Sequence, residues 1–266
     1  MNEADFQELV KQKSHKLYRD MPWRQDTRPF YVLVSELMLQ QTQVDRVIPK
    51  FNAFIERFPD EKTLASASLG DVLRLWNGLG YNRRAKFLHE AAKKIVTEHE
   101  GIFPEAYEDI LALPGVGQST AGAIMAYAFN KPVVFIETNV RTVYFHHFFN
   151  DEAKISDVEL AKLVKKTVDT TNPREFYWAV MDYGTWLKKN HPSVITRSKH
   201  YKKQTPLEGS AREMRGQIIR LLATDAQDAN ILSEKFKKDP RFEPALASLA
   251  RDGLIEKSNN EFHLTK

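Results

Sequence analysis

The residues best placed by type and spacing to do chemistry lie in the run Leu113-Pro114-Gly115-Val116-Gly117-Gln118-Ser119-Thr120-Ala121-Gly122-Ala123. Two glycines around one aliphatic residue make a tight hairpin with exposed backbone N–H groups, and a helical pattern starts directly after it. Backbone amides beside a helix N-terminus form an anion site that suits a phosphate without any charged side chain. Gly115, Val116, Gly117, Gln118 and Ser119 are therefore the candidate phosphate-binding residues, with Val116 packing back into the helices to hold the hairpin. A GVG turn by itself is common between helices. LPGVGQSTA, following one helix and leading into a helix of small residues, is a helix-hairpin-helix signature, and such an element grips a nucleic-acid backbone without reading its sequence.

The charge distribution points the same way with less force. The chain has 266 residues and a formal net charge of +4. Lys188, Lys189, Arg197, Lys199, Lys202, Lys203, Arg212 and Arg215 fall in one short span whose only acids are Glu208 and Glu213. From charge alone this span is either a solvated linker or a phosphate-contacting connector, with Arg197 and Lys199 as the candidate contacts. The absence of cysteine excludes disulfides, thiolate nucleophiles and thiolate-held zinc or iron–sulfur clusters. No stretch is apolar enough to span a membrane, and the polar N-terminus has no signal-peptide core, so a cytoplasmic, nucleoid-associated protein is expected.

The elements that must position these residues read mostly as helix. Apolar residues recur at helical spacing over residues 30–42, 44–57, 69–75, 85–98, 119–129, 140–149, 157–170 and 174–188. Pro and Gly punctuate between them, and strand-like alternation is nearly absent before residue 250. The expected fold class is all-α over residues 1–188, followed by a basic connector at 189–210. Residues 211–266 change character: helices at 213–223, 229–236 and 242–252, a stop at Gly253, and a tail alternating around Asn259-Asn260, a hairpin turn. Three short helices and a hairpin describe a winged-helix-like module. Its third helix either enters a DNA groove or serves protein contacts only, and Arg251 is almost its only positive charge.

Further runs carry a family resemblance: Pro22-Trp23-Arg24, Ser35-Glu36-Leu37-Met38-Leu39-Gln40-Gln41-Thr42-Gln43-Val44, Leu75-Trp76-Asn77-Gly78-Leu79-Gly80-Tyr81, and the LPGVGQSTAGAI hairpin. Together, over about residues 15 to 188, the chain resembles the MutY-type adenine DNA glycosylases of the helix-hairpin-helix superfamily. The resemblance implies a two-lobed helical fold that binds duplex DNA carrying a mismatch or lesion, extrudes one nucleotide and hydrolyses its N-glycosidic bond, acting as a monomer. By type alone Glu36 is a surface glutamate on an amphipathic helix; by resemblance it protonates N7 of the departing adenine, with Leu37, Met38 and Leu39 as apolar walls. Gln41 and Tyr81 match positions that insert into the base stack, although helix-end packing also accounts for a tyrosine; Gln40 and Thr42 are minor contacts on the same segment. Endonuclease III-like relatives carry a lysine where this chain has Ser119, and serine forms no Schiff base, so a monofunctional enzyme is expected.

Three departures bear on that implication. The family reads Asp-Gly-Asn-Val where this chain has Glu137-Thr138-Asn139-Val140. Glu137 keeps the charge that stabilises the sugar cation, but one methylene further out. It does the aspartate's work from a shifted backbone, or serves a changed substrate, or marks a chain that binds without cutting. Asn139 remains in place to hydrogen-bond the site. The family also places four cysteines after the segment matched by Met181-Asp182-Tyr183-Gly184, and none exists here, so a clusterless variant is implied. No cofactor is expected beyond a monovalent cation on the hairpin carbonyls, a point left open. Finally, the domain that reads 8-oxoguanine in the family is replaced by the winged-helix-like tail, opening with Gly209-Ser210-Ala211-Arg212-Glu213-Met214-Arg215-Gly216. The reading is hydrolysis of adenine opposite 8-oxoguanine or guanine. The alternatives are excision of thymine or uracil opposite guanine, or a non-catalytic lesion binder.

Overall fold

In a computed structural model that describes residues 1–149, 155–192, 194–198 and 206–266, the helical spacing resolves into α1 (Glu3–Leu17), α2 (Pro22–Gln25), α3 (Pro29–Leu39), α4 (Val44–Arg57), α5 (Glu61–Ser66) and α6 (Leu69–Trp76). There follow α7 (Arg83–Glu98), α8 (Tyr107–Leu111), α9 (Gln118–Tyr127), α10 (Thr138–Phe148), α11 (Asp157–Thr167) and α12 (Pro173–Asn190). Beyond them come α13 (Ala211–Thr224), β1 (Gln227–Asp228), α14 (Ala229–Phe236), α15 (Phe242–Arg251), β2 (Ile255–Ser258) and β3 (Glu261–Leu264). Several starts are fixed by side-chain caps: Asp60 on α5, Ser68 on α6, Ser210 on α13, and Ser156 with Glu159 as a reciprocal capping box on α11. The fold is the expected one, mostly helical with a small C-terminal sheet.

One expectation is corrected. The helix expected to run from Phe30 to Thr42 ends at Leu39, because Gln41 takes a left-handed backbone at φ 56° that no α-helix continues through. Among the described residues β1 is the one strand before residue 250; it pairs antiparallel with β3 and adds a third strand to the expected hairpin, in the order β1-β3-β2. At two residues it is too short to show alternation. The turn at Asn259-Asn260 is as expected, with φ of 48° and 64°, the left-handed pair that a tight hairpin needs.

The chain forms two compact units, each assembled from separated stretches. The first comprises Met1–Val32, Glu105–Ala112 and Val116–Lys203. Here α1 and α10 pack on α12, and the buried Phe6 ring stands 4.9 Å from that of Tyr144. The second comprises Leu33–Pro104, Leu113–Gly115 and Gln204–Lys266. Phe51, Phe54, Phe58, Leu64 and Trp76 form its fully buried centre. Within this unit the C-terminal segment is fastened to the helices before it. α13 and β3 pack on α6, Arg74 Nε donates to Ala223 O at 3.1 Å, and Lys86 Nζ donates to Asp252 O at 2.8 Å. A Cβ on Gly70 would stand 3.3 Å from Thr265 O, so α6 approaches the chain end closely.

Candidate active site

In the first unit the hairpin leads into α9 with Gly117 at its N-cap in extended conformation and no side-chain cap. The first amides of α9 therefore keep their donor capacity at an exposed turn. A Cβ on Gly117 would meet nothing within 4 Å, so the fold itself does not require glycine there. Val116 is buried, as the hairpin reading requires, while Gln118 and Ser119 are exposed. Gly115, in the second unit, has φ +78°, and a Cβ there would fall 2.7 Å from Phe87 Cβ. Glycine is required at that position twice over, by conformation and by space.

Ser119 ties the hairpin helix to the acidic loop: its hydroxyl donates to the Ile136 carbonyl at 2.8 Å, one residue before Glu137. Glu137 is the N-cap of α10, and its carboxylate accepts the Asn139 backbone N–H at 2.6 Å. Glutamate is an unusual cap. The extra methylene lets the carboxylate fold back over its own helix start, where exposed N–H groups favour negative charge. The longer side chain is thus held in one position rather than sweeping solvent. Burial pulls the pKa of the Lys188 ammonium below its ordinary value, the charge of the Glu137 carboxylate opposes that pull, and Arg19 adds to it. Asn139 Oδ1 is buried and has no hydrogen-bond partner among the described residues; its amide nitrogen meets only the Met181 sulfur at 3.6 Å. A buried, unpaired amide oxygen costs about 1–3 kcal/mol, and a ligand or water that it accepts from would offset that cost.

The motif residues on either side of this loop act as its scaffold. Asp182 on α12 is buried and receives both Arg24 guanidinium nitrogens, at 2.7 and 3.0 Å, together with Arg19 Nε at 2.6 Å. Two turns of logic in the sequence meet here, Pro22-Trp23-Arg24 and Met181-Asp182-Tyr183-Gly184. Gly184 lies against α10: a Cβ there would stand 2.6 Å from Asn139 Cβ and 2.7 Å from Asn139 O. Only hydrogen fits between α12 and the start of α10. Arg141 secures the other side, with Nε and Nη2 on the Asp157 carboxylate at 2.9 and 2.6 Å.

In the second unit, Glu36 stands half-buried on α3 beside the fully buried Leu37 and Met38, with Leu39 half-buried. Gln41 and Tyr81 sit on two loops, and both have left-handed backbones, φ 56° and 48°. Non-glycine residues in that conformation cost of order 1 kcal/mol each and need support. Arg84 supplies it. Its buried guanidinium donates to Leu37 O at 2.7 Å, Met38 O at 2.9 Å and Gln40 O at 2.6 Å on one side, and to Gly80 O at 2.9 Å on the other. Thr42 belongs to the same staple, accepting from Arg84 at 3.2 Å, so its hydroxyl is committed to the loop. Burial lowers the Arg84 pKa to about 10, and the guanidinium stays charged at neutral pH. Tyr81 lies with its ring under both the Arg84 and Arg212 guanidinium carbons, at 5.5 and 5.0 Å.

The structure thus gathers Ser119, Glu137 and Asn139 in the first unit, and Gln41, Thr42 and Tyr81 around Arg84 in the second. Glu36 belongs to the second unit and Glu137 to the first. Arg197 ends a short 3-10 turn at Val194–Arg197, and Lys199 lies outside the described residues. Sequence reasoning did not single out Arg84, Gly184 or Lys188 as site residues. A basic residue one helical turn past Tyr81 was the available signal for Arg84, and nothing short of packing reveals the others.

Comparison with known proteins gives a match to the family described as HhH-GPD superfamily base excision DNA repair protein over residues 34–169. A protein of Buchnera aphidicola (subspecies Baizongia pistaciae) named adenine DNA glycosylase is 36% identical over 186 residues, covering 68% of this chain and 52% of its own length. The chain therefore spans about half the length of that relative. A protein of the same name from Mycolicibacterium smegmatis is 35% identical over 272 residues, covering 90% of this chain and 89% of its own length. Only a tenth of the chain falls outside that match, so it extends into the C-terminal segment. Among solved structures, a thermostable thymine-DNA glycosylase superposes with a TM-score of 0.63 at 24% identity, covering 68% of this chain and 85% of its own, a likeness of fold.

Proposed function

The chain belongs to the HhH-GPD superfamily of base excision DNA repair proteins, and from that premise we propose that it is a monofunctional adenine DNA glycosylase. Its substrate in this reading is duplex DNA in which adenine faces 8-oxoguanine or guanine, in the cytoplasm. The observation that carries the reading is the carboxylate of Glu137, pinned by its own helix start at 2.6 Å from the Asn139 amide, with a buried amide oxygen of the same asparagine left to act on a ligand. The names borne by the relatives and the SELMLQQTQV run favour adenine over a pyrimidine.

In the reaction, Glu36 delivers a proton to N7 of the extruded adenine, making it a better leaving group. The bond from N9 to C1′ breaks, and the sugar becomes cation-like. Glu137 sets its negative charge beside that cation. Water then adds its oxygen to C1′ and gives up a proton, leaving free adenine and an abasic site. Ser119 holds the Ile136 carbonyl and has no amine to attack the sugar, so the strand stays intact. Exposed hairpin amides at Gly117 to Ser119 suit a phosphate of the bound strand, and a monovalent cation on the hairpin carbonyls is compatible with this arrangement. An iron–sulfur cluster has no part in the proposal, since the chain offers no cysteine to hold one.

The test is a panel of labelled duplexes with adenine, thymine or uracil opposite guanine, and adenine opposite 8-oxoguanine, each treated with alkali after incubation. Alkali-dependent cleavage of adenine strands only, lost in Glu36→Gln and Glu137→Gln with DNA affinity retained, supports the proposal. Product from thymine or uracil strands would overturn the base assignment, and tight binding without product from any duplex would overturn catalysis.

A further inference from the structure

We propose that the C-terminal segment is a second DNA-contacting element: with the Tyr81 loop it forms a basic groove that takes the sugar-phosphate backbone next to the base-stack-inserting residues. The groove has a volume of about 730 Å³ and lies wholly within the second unit. Gln41, Tyr81 and Arg83 line it together with Arg212, Gly216 and Arg251 of the C-terminal segment. Five arginines and one carboxylate, Asp252, face it, which gives this one groove the same net charge as the whole chain, +4.

Not every one of these charges is available. Arg84 is spent on carbonyls, and Arg215 holds Ser248 and the Asp252 carboxylate, the latter at 2.8 Å. Those two build the wall. Arg83, with a side chain 62% exposed and 3.8 Å from Asp252, and the exposed Arg251 remain solvent-facing. Arg212 donates to the Tyr81 hydroxyl and covers its ring, so the C-terminal segment grips the same tyrosine that the resemblance places in the base stack.

Gly216 is the second, independent pointer. It sits inside α13, where glycine is a poorer helix former than alanine, yet a Cβ there would meet nothing within 4 Å. Its φ is not left-handed, so neither packing nor backbone conformation asks for glycine. The bare backbone instead leaves room for a ligand to approach the helix closely, in a groove that Gly216 lines with five arginines. A polyanion of nucleic-acid width meets all of these conditions.

The proposal rests on DNA being the substrate, and its test separates the two. Binding of a matched duplex and of an adenine·8-oxoguanine duplex is measured by fluorescence anisotropy over about 50–200 mM salt, for the full chain and for Gly216→Gln and Arg83→Ala/Arg251→Ala. Each lost phosphate contact lowers the slope of log affinity against log salt by about 0.9, so the double variant should lose about 1.8. The native chain then loses roughly tenfold more affinity than the double variant across that range. Gly216→Gln replaces glycine by a better helix former, so its thermal midpoint should not fall, while its DNA affinity drops at least tenfold. Unchanged slopes and affinities in these folded variants overturn the groove assignment and leave the glycosylase reading intact. Groove-dependent binding without base excision on any duplex upholds the groove and overturns the glycosylase reading.

Discussion

Gly184→Ala offers a direct measure of how finely the Glu137 loop is placed. The added Cβ would stand 2.6, 2.7 and 2.8 Å from Asn139 Cβ, O and Cα, two of them backbone atoms that cannot rotate away. Ordinary contact begins near 3.4 Å, so α10 must withdraw from α12 by roughly 0.7 Å. Glu137 moves with it, since its carboxylate is bonded to the Asn139 amide. A misplacement of about 1 Å costs on the order of a hundredfold in rate, so a ten- to hundredfold loss is expected here, about 1.4–2.7 kcal/mol in the barrier. Overpacking should also lower stability by about 1–3 kcal/mol. Single-turnover excision of adenine from a saturating duplex, well below the thermal midpoint, reads the first effect. Anisotropy reads DNA affinity, which should hold because the hairpin is untouched. A folded variant cutting within about twofold of the native rate would refute the reasoning, as would affinity falling in step with rate.

Other consequences are as accessible. Asp182→Ala leaves Arg24 buried without its carboxylate and should cost about 3–5 kcal/mol in chemical denaturation, far more than a surface pair; a change below about 1 kcal/mol counts against the network. Arg84→Met removes the staple between the two left-handed loops and should weaken DNA binding more than tenfold even in protein that remains folded, as checked by circular dichroism and anisotropy. His147 is held near pKa 4 by burial, with His146, Lys13 and the N-terminal amine adding to the lowering, against an ordinary 6.5. The unfolded chain therefore takes up a proton at higher pH than the folded one. Stability should be level above pH 6.5 and decline between 6.5 and about 4, by about 1–2 kcal/mol after allowance for the ring's partial solvent access. His147→Gln should flatten that slope in denaturant titrations. Borohydride should trap no covalent DNA adduct, because Ser119 has no amine; an adduct lost in Lys188→Ala would show that lysine attacking the sugar instead.

The helices with a continuous apolar face were readable in the chain, and α4 and α14 begin and end where their spacing says. The helix at Glu3–Leu17 was not, because it buries only Phe6 and Val10 and is polar elsewhere; its helicity comes from tertiary contact. The same division holds at the site. Gly115 declares itself because the hairpin needs its left-handed conformation locally, at φ +78°. Arg84 and Gly184 act across distances of 46 and 45 residues, on Met38 and Asn139, and no window of sequence shows such a contact. The Glu137 substitution was visible as a departure, but its accommodation by a cap was not, because glutamate seldom caps a helix.

The interleaving of the two units has a consequence for biosynthesis. As the nascent chain leaves the ribosome, residues 33–104 emerge long before α13, whose Ala223 carbonyl accepts from Arg74, and before the chain end at Thr265 that approaches Gly70. The second unit cannot close until translation is nearly finished, because its last stretch runs from Gln204 to Lys266, and the flank of α6 that packs on α13 and β3 waits uncovered meanwhile. A chain stalled before α13 should thus recruit chaperones or aggregate, since it lacks part of its own lining.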